Sequence, residues 1–321
     1  MHEHNQPMLD YIIYGKIIID TIGLLDGGVV EDVLGGGGPQ GSFGARIWSD
    51  SIGFLTRSGT DIDPGPVETL KGIDINLEGW VQYSDLPTMR GGMFYDENEY
   101  MTPEKRADLE HEKQIRWEIF KNMLARDIEL PPSYSEPKVI HLITEYPHEH
   151  MSVVARQLKK NGAILSLEPL IDFREWSNKE EIIDFISEVD TVTPDWPSAS
   201  GIAKSEDPLE VMKYWTQLGP KLVAIRNGRH GSYTWDQKND VIWHIPPVPV
   251  KAVDPTGAGN CYGGGMAVGW HRTMDARLAG CYGAVSAYFL VRQYSLPKMT
   301  PELQAEARVL FERTLETVKP L

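Results

Sequence analysis

The stretch 253–260 reads Val-Asp-Pro-Thr-Gly-Ala-Gly-Asn, and it decides the fold assignment of this chain. It predicts a glycine-rich turn that leaves a strand at Val248–Val253 and leads into a helix of small residues at Cys261–Trp270. The first N–H groups of such a helix have no intrahelical partner, and the helix dipole adds positive potential there. Gly257 and Gly259 let the backbone come close to a ligand. The stretch is therefore either an anion hole for a phosphoryl group or a plain tight connection between a strand and a helix.

Composition and charge restrict the classes of function. The 321 residues are 41% hydrophobic and 24% charged, which is ordinary for a globular protein with a large core, and they fit a single α/β domain over residues 8–321. A formal net charge of −15 opposes binding to nucleic acid or to an anionic membrane. Residues 1–7 are polar, and no apolar run approaches the roughly 18 residues of a membrane span. We therefore predict a cytoplasmic protein that binds neither nucleic acid nor membrane.

Apolar strands alternate with helical segments through most of the chain. The first strand is predicted at Tyr11–Ile19, and after residue 139 the alternation becomes regular. Continuous apolar strands separated by helices favour a mostly parallel sheet with helices on both faces. Short strands punctuated by Gly and Pro at 73–95 predict a small β lid, and a hairpin turn is predicted at Asp26–Gly28. The charged helical segment at 96–135 has no assigned role.

Two further glycine motifs lie at predicted strand ends. Residues 35–45 read Gly-Gly-Gly-Gly-Pro-Gln-Gly-Ser-Phe-Gly-Ala and lead into a helix, but they lack the Lys-Ser/Thr of a Walker loop. Residues 226–231 read Arg-Asn-Gly-Arg-His-Gly and follow an apolar strand. Each motif by itself is either a plain turn or part of a ligand site. The charges of Arg229 and His230 are of a kind that water usually solvates in an exposed turn.

The motif at 254–260 resembles the C-terminal signature of the ribokinase-like (PfkB) carbohydrate kinases, Asp-Thr-x-Gly-Ala-Gly-Asp. The other motifs follow in the order of that family, from Gly15 to about Pro297. The resemblance implies an α/β fold, a three-layer αβα sandwich with a mostly parallel central sheet and a small β lid. It also implies ATP- and Mg²⁺-dependent transfer of a phosphoryl group to a hydroxyl of a sugar, a nucleoside or a related small metabolite.

The resemblance assigns catalytic positions to Gly257, Ala258, Gly259 and Asn260. The family has a catalytic Asp at the last of these positions, where it takes the proton of the substrate hydroxyl, whereas this chain has Asn260. An amide cannot accept a proton at neutral pH, but its oxygen can orient a hydroxyl. Candidates for another base are Asp20, His230 and His271.

The resemblance also assigns binding positions. The substrate positions are Asp20, Gly37, Gly38 and Ser42, the last of which replaces an Asn of the family. The nucleotide positions are Asn227, Gly228, Gly231, Thr256 and Tyr282. The candidate metal ligands are Asp195, Glu168 and Asp254. Mg²⁺ usually binds one or two carboxylates besides phosphates, and the Glu that orders its water shell in the family is Ser198 here.

Three functions remain open at this point. The chain is a kinase of a small hydroxylic substrate, a pseudokinase that binds nucleotide or sugar, or an enzyme of another reaction class that reuses the phosphate cradle. The intact glycines and Asp254 favour the first function, whereas Asn260 and Ser198 favour the other two. Lids pair between subunits in this family, so the resemblance also allows a homodimer through the lid.

Overall fold

The computed structural model describes residues 7–23, 28–95, 101–102, 109–172 and 175–321. Within these ranges the chain forms a large sheet with helices on both faces and a small separate sheet. The helices of this part of the chain are all too short or too polar to cross a membrane.

Strands and helices alternate along most of the described chain. The strands are β1 (Tyr11–Tyr14), β2 (Ile18–Gly23), β3 (Val29–Gly35), β4 (Ile52–Gly59), β5 (Trp80–Tyr83), β6 (Met89–Tyr95), β7 (Met101–Thr102), β8 (Val139–Thr144), β9 (Ile164–Pro169), β10 (Thr191–Val192), β11 (Leu222–Arg226), β12 (Ser232–Asp236), β13 (Ile242–Ile245) and β14 (Lys319–Pro320). The helices are α1 (Gly38–Arg46), α2 (Pro64–Gly72), α3 (Leu109–Leu124), α4 (His150–Lys160), α5 (Lys179–Ile186), α6 (Trp196–Ala203), α7 (Pro208–Thr216), α8 (Ala258–Thr273), α9 (Ala276–Leu290) and α10 (Pro301–Thr317). The predicted α/β class is confirmed.

The large sheet has the strand order β14-β13-β12-β11-β10-β9-β8-β1-β4-β5. The strands from β11 to β5 in that order pair in parallel, and β12, β13 and β14 extend one edge in antiparallel pairing. The predicted mostly parallel sheet is therefore confirmed. Because parallel strands end at the same edge of a sheet, the loops after β1, β8, β9, β10 and β11 lie side by side.

The side chains of each central strand alternate between two cores. In β1, Ile12 and Tyr14 join the core that includes α4, α5, α6 and α7, while Tyr11 and Ile13 join a core with α1 and α8. This alternation is what a continuous apolar run produces in a strand that is buried on both faces. Helix α9 packs on the same side as α1 and α8. The three layers agree with the predicted αβα sandwich.

The small sheet has the order β3-β2-β6-β7, which differs from the lid predicted at 73–95. β6 lies in that range, but β5 belongs to the large sheet, where Trp80 pairs with Thr56 and its indole N–H donates to Ser58 Oγ at 2.8 Å. The hairpin of β2 and β3 supplies the other half of the small sheet. The lid prediction was wrong about β5, because alternation of side chains indicates a strand without indicating its partner.

Two other strand predictions differ from the structure. The strand predicted at Tyr11–Ile19 is broken at Gly15, which packs so tightly that an added Cβ would lie 2.6 Å from Gly38 Cα. The chain turns there from the large sheet into the small one. The strand predicted at Val248–Val253 is irregular. Prolines in and before this segment lack the N–H groups that a sheet ladder needs.

Two predictions fall partly outside the described residues. The turn predicted at Asp26–Gly28 connects β2 and β3, which pair antiparallel as a hairpin requires, but residues 26 and 27 are not described. The charged helical segment at 96–135 contains α3, and residues 96–100 and 103–108 are not described.

Helices α1 and α8 pack backbone to backbone through glycines. An added Cβ on Gly44 would lie 2.0 Å from the carbonyl oxygen of Cys261, and one on Gly264 would lie 1.9 Å from the carbonyl oxygen of Gly41. On its other side α8 is close to α9, where an added Cβ on Gly265 would lie 2.1 Å from Ser286 Oγ. Contacts that only glycine permits therefore fix the helix that follows the motif at 253–260.

We expect Gly264→Ala to lower the free energy of unfolding by about 1–3 kcal/mol, because the new methyl group overpacks α8 against α1. The matched control is Gly65→Ala in α2, where an added Cβ meets no atom within 4 Å. The higher helix propensity of Ala should leave that variant at least as stable as the parent. Urea unfolding at pH 7 measures both variants. Equal stability of the two variants would contradict the close packing of α1 on α8.

Candidate active site

The carboxyl edge of the large sheet brings together most of the predicted site residues. Glu168 lies near the end of β9, Asp195 follows β10 and Arg226 ends β11. The N-termini of α1 and α8 meet at the same edge, where Gly37 contacts the side chain of Asn260. Ligands of open parallel sheets bind at this edge.

The predicted anion hole is the N-terminus of α8. Gly257 occupies the N-cap with a left-handed φ of 75°, and an added Cβ there would lie 2.4 Å from Gln40 Cγ. The Thr256 N–H donates to Asp254 Oδ1 at 2.9 Å and fixes the preceding turn. Within the described residues no side chain caps this helix start. Its first backbone amides therefore have the arrangement that suits an anion.

Asn260 lies between a glycine turn and a buried ion pair. Its Nδ2 donates to Glu168 Oε1 at 2.8 Å. An added Cβ on Gly37 would lie 3.0 Å from the same Nδ2. The neighbouring Gly259 touches Arg226, since an added Cβ would lie 1.9 Å from the guanidinium Nη1. The side chain at position 260 is thus held by the glycine turn before α1 and by Glu168 of β9, and β11 contacts the neighbouring residue 259.

Glu168 is a buried, charged partner of Asn260. Only 1% of its side chain is exposed, and Arg226 Nη1 lies 2.6 Å from its Oε1. His141 Nε2 lies 3.8 Å from its Oε2, and His141 Nδ1 shares a hydrogen bond with Ser166 Oγ at 2.8 Å. Burial raises the pKa of the Glu168 carboxyl, but the charge of Arg226 and the contact with His141 outweigh burial and hold that pKa below its usual value. Glu168 is therefore ionised at neutral pH.

The predicted substrate residues surround the glycine turn at 35–38. Asp20 is buried in β2, where added Cβ atoms on Gly35 and Gly91 would lie 1.8 and 2.5 Å from its carboxylate oxygens. Gly35 is two residues from Gly37, so Asp20 and Asn260 flank the same turn. Ser42 is fully buried within α1, and its Oγ has no hydrogen-bond partner among the described residues.

The predicted metal ligands do not form a cluster. Asp195 caps α6, where its Oδ1 accepts the Ser198 N–H at 3.0 Å. Glu168 is paired with Arg226, and burial raises the pKa of Asp254 against the hydrogen bonds from Thr256. In the part of the chain that the structure describes, no group of three or more His, Cys, Asp or Glu could hold a metal ion. These residues fit an Mg²⁺ ion that is coordinated mainly by phosphate oxygens and water and by at most one protein carboxylate.

Two of the predicted nucleotide residues close the turn after β11. The Asn227 N–H donates to the carbonyl oxygen of Gly231 at 2.7 Å, and Gly228 lies exposed between them. This turn continues from Arg226, which contacts Gly259. The turn therefore lies next to the start of α8, where Thr256 also lies.

Tyr282 lies apart from the other nucleotide residues. Its ring in α9 packs 4.4 Å from Trp48 and 4.9 Å from Phe311, centroid to centroid, and it faces Gly269 of α8. Gly269 follows Asn260 by nine residues, or about 13 Å along the helix axis. The structure does not bring Tyr282 together with the residues at the start of α8.

The candidate bases occupy three different places. His271 lies near the C-terminal end of α8, about 16 Å along the axis from Asn260, and its Nδ1 shares a hydrogen bond with Tyr11 Oη at 2.8 Å. His230 lies in the exposed turn after β11. Asp20 alone among the three flanks the same turn as Asn260.

Sequence reasoning missed Arg226 and His141 as site residues. Arg226 ends an otherwise apolar strand, and His141 interrupts the apolar run of β8. A polar or charged residue inside a buried strand needs a partner, because its desolvation costs free energy. This signal was present in both strands and could have found both residues.

Residues 115–302 match the pfkB family carbohydrate kinases. The chain belongs to the PfkB family. It is 26% identical to a cytidine kinase of Thermococcus kodakarensis over 265 residues, which cover 83% of this chain and 90% of that protein. It is 33% identical to a 5-dehydro-2-deoxygluconokinase of Clostridium perfringens over 162 residues, which cover 47% of this chain and 46% of that protein. This PfkB-family chain is accordingly a kinase-like phosphotransferase.

A solved structure supports the same fold. A putative ribokinase II from E. coli aligns over its whole length with 95% of this chain, at 16% sequence identity. The TM-score is 0.71 for its apo form and 0.68 for its complex with ATP and Mg²⁺. The two proteins share the fold.

We expect Glu168→Gln to lower the free energy of unfolding at pH 7 by about 3–5 kcal/mol, because the variant leaves the Arg226 charge buried without its partner. The difference in the free energy of unfolding between the native protein and the variant should narrow as the pH falls below the ordinary pKa of Glu and through the lowered pKa of Glu168. There the native carboxyl also becomes neutral. Urea unfolding between pH 7 and pH 3 measures this difference. A difference that stays constant over that range would contradict an ionised Glu168.

Proposed function

We propose that this PfkB-family chain is an ATP-dependent phosphotransferase that acts on a hydroxyl of a sugar, a nucleoside or a related small metabolite. The contact between Asn260 at the start of α8 and the glycine turn before α1 carries the proposal. This contact sets a phosphate cradle beside the predicted substrate turn. The names of two relatives, a cytidine kinase and a 5-dehydro-2-deoxygluconokinase, support acceptors of the nucleoside and of the sugar class.

The transferring phosphoryl group is bound by the backbone amides at 257–260. These groups are pre-organised by the left-handed Gly257 and by the Asp254 turn. The Arg226 guanidinium contacts Gly259 and forms an ion pair with Glu168. The negative charge of Glu168 is therefore compensated and does not repel the phosphates. Stabilisation of this pre-organised kind is usually the largest contribution to catalysis.

The reaction transfers the γ-phosphoryl group in line. The substrate hydroxyl oxygen attacks the γ-phosphorus, the bond from that phosphorus to the β-γ bridging oxygen breaks, and ADP leaves. Asn260 Oδ1 accepts the hydrogen bond of the hydroxyl and orients it, while the proton passes to the transferred group or to water. Because the transition state is loose, positioning dominates. The absence of a carboxylate base costs about 10²–10⁴-fold in rate, so we propose a slow kinase.

Mg²⁺ would neutralise charge on the phosphates. Of the three predicted ligands, Asp254 adjoins the cradle and is neither a helix cap nor paired with an arginine. We therefore propose Asp254 as the protein carboxylate nearest to the metal, with phosphate oxygens and water as the remaining ligands.

The small sheet is proposed as the lid over the acceptor. Asp20 in β2 and Gly91 in β6 face each other in this sheet, next to the glycine turn. β3 forms one edge of the sheet and is exposed over its first half. Pairing of two such edges would give the homodimer that the resemblance allows, since an open strand edge is a template for another strand.

A second candidate function is nucleotide or sugar binding without turnover. One observation favours it: the carboxylate that contacts Asn260 is Glu168, and Arg226 holds that carboxylate in its charged form. Asn260 has no group that takes a proton at neutral pH. The Glu168 carboxylate is a weak base for a hydroxyl, because its pKa is lowered and its Oε1 already accepts hydrogen bonds from Arg226 and Asn260. On this alternative the cradle binds ATP and the protein acts through its complex.

Calorimetric titration with ATP and Mg²⁺, followed by ADP formation against a panel of sugars and nucleosides, tests the proposed function. We expect Gly257→Ala to lower ADP formation by about 10²-fold, because the new methyl group moves the turn and misplaces an amide donor. The matched control is Gly162→Ala, a glycine that also has positive φ but meets no atom within 4 Å of an added Cβ.

The control variant should lose stability but keep its kinetic constants. ATP binding without turnover against the whole panel would support the second candidate. Equal loss of activity in Gly162→Ala and Gly257→Ala would show that strain alone, and not the cradle, explains the effect.

A further inference from the structure

Two donors converge on a single buried oxygen of Glu168. Arg226 Nη1 and Asn260 Nδ2 lie 2.6 and 2.8 Å from Oε1. They come from β11 and α8, and Glu168 itself comes from β9, so three separate elements meet at this oxygen. His141 of β8 lies 3.8 Å from the other oxygen, Oε2.

This arrangement fixes which end of the Asn260 amide faces Glu168. A carboxylate accepts hydrogen bonds only, so the nitrogen of the amide turns toward it and the oxygen turns away. Gly37 packs against the same amide, since an added Cβ on Gly37 would lie 3.1 Å from Asn260 Cγ. The Oδ1 atom therefore has one defined orientation, away from the ion pair.

We propose that Glu168, held by Arg226, is a positioning residue that fixes the Asn260 amide and selects Asn over Asp at position 260. The part of the inference that concerns catalysis rests on the proposed function, because it makes Asn260 Oδ1 the acceptor for the substrate hydroxyl. The part that concerns selection of Asn stands on the contacts alone.

The Asn260 amide donates its N–H to the Glu168 carboxylate. An Asp at position 260 has no such donor and instead places a second carboxylate against Glu168. Two carboxylates that share a buried site cannot both ionise, and one of them takes up a proton. The other titratable groups that face this pair are Arg226 of β11, His141 of β8 and the buried Cys261 thiol of α8. Arg226 already offsets Glu168, so its charge serves one carboxylate rather than two. Restoring the family's Asp by itself therefore does not restore a base.

The test is a donor–acceptor exchange with Asn260→Asp, Glu168→Gln and the double variant. In the double variant the new amide at 168 donates to the new carboxylate at 260, and the total charge beside Arg226 equals that of the native protein. Turnover is followed as ADP formation between pH 5 and pH 9, stability by thermal unfolding, and Mg²⁺–ATP binding by calorimetry.

We expect Asn260→Asp to unfold at a lower temperature than the native protein and to lose kcat by about tenfold or more at pH 7, with activity recovering toward alkaline pH. The double variant should unfold at a higher temperature than Asn260→Asp and exceed its kcat by about tenfold at pH 7, with KM for ATP unchanged. Its pH profile should gain an acidic limb from the ionisation of the new Asp.

The matched control is Asp190→Asn at the opposite edge of the sheet. Asp190 is buried and pairs with Lys221 at 2.9 Å and with the Leu165 N–H at 3.0 Å. Removing this charge should lower stability without changing the pH profile, and combining it with Asn260→Asp should give additive effects.

The inference is overturned if Asn260→Asp alone is as stable as the native protein and at least as active at pH 7, or if the double variant only adds the two single losses. If Glu168→Gln does not fold alone, the comparison of Asn260→Asp with the double variant still tests the inference, because the double variant must be the more stable and the more active of the two. Absence of turnover by the native chain overturns the proposed function. In that case the unfolding temperatures of the native protein, the two single variants and the double variant still test whether Glu168 selects Asn.

Discussion

The rest of the structure depends on the close approach of α8 to its neighbours. The contact of Gly44 and Gly264 with facing carbonyl oxygens leaves no space for a side chain between α1 and α8. The ligand groups proposed at 257–260 are backbone amides, so their position is set by helix packing and not by rotamers. A site that must hold reacting groups within a fraction of an ångström benefits from such rigid support. Glycine is here a packing residue and a site residue in the same helix.

Electrostatics imposes the second constraint. A protein of net charge −15 offers little long-range attraction to a nucleotide, so attraction must be local. The N-termini of α1 and α8 meet at the carboxyl edge of the sheet and supply the positive ends of two helix dipoles. Glu168 is a buried negative charge next to the start of α8, and Arg226 compensates that charge. Replacing only one partner of this pair would leave an uncompensated charge next to the proposed phosphate site.

The residue at position 260 links these two constraints. The family signature implies a base there, and this chain has an amide whose nitrogen is bonded to Glu168. Position 260 is thus coupled to position 168 on another element, which explains how the signature is retained while its last residue changes. On the proposed function, orientation of the hydroxyl and the phosphate cradle replace proton transfer to a carboxylate, which a loose transition state tolerates.

The sequence by itself determined the α/β class, the mostly parallel sheet and the family, because apolar periodicity and the motif at 253–260 are local properties of the chain. It also identified Asn260 and Gly257 as neighbours in one turn. Only the tertiary structure decided that β5 belongs to the large sheet and that β2 and β3 belong to the small one, because strand pairing depends on partners distant in sequence. Only the tertiary structure brought Glu168, Arg226 and His141 to Asn260 and separated Tyr282 from them. The physical reason is that a hydrogen bond or an ion pair forms between atoms a few ångströms apart, and the order of residues along the chain does not specify which side chains the parallel strands bring to the same edge.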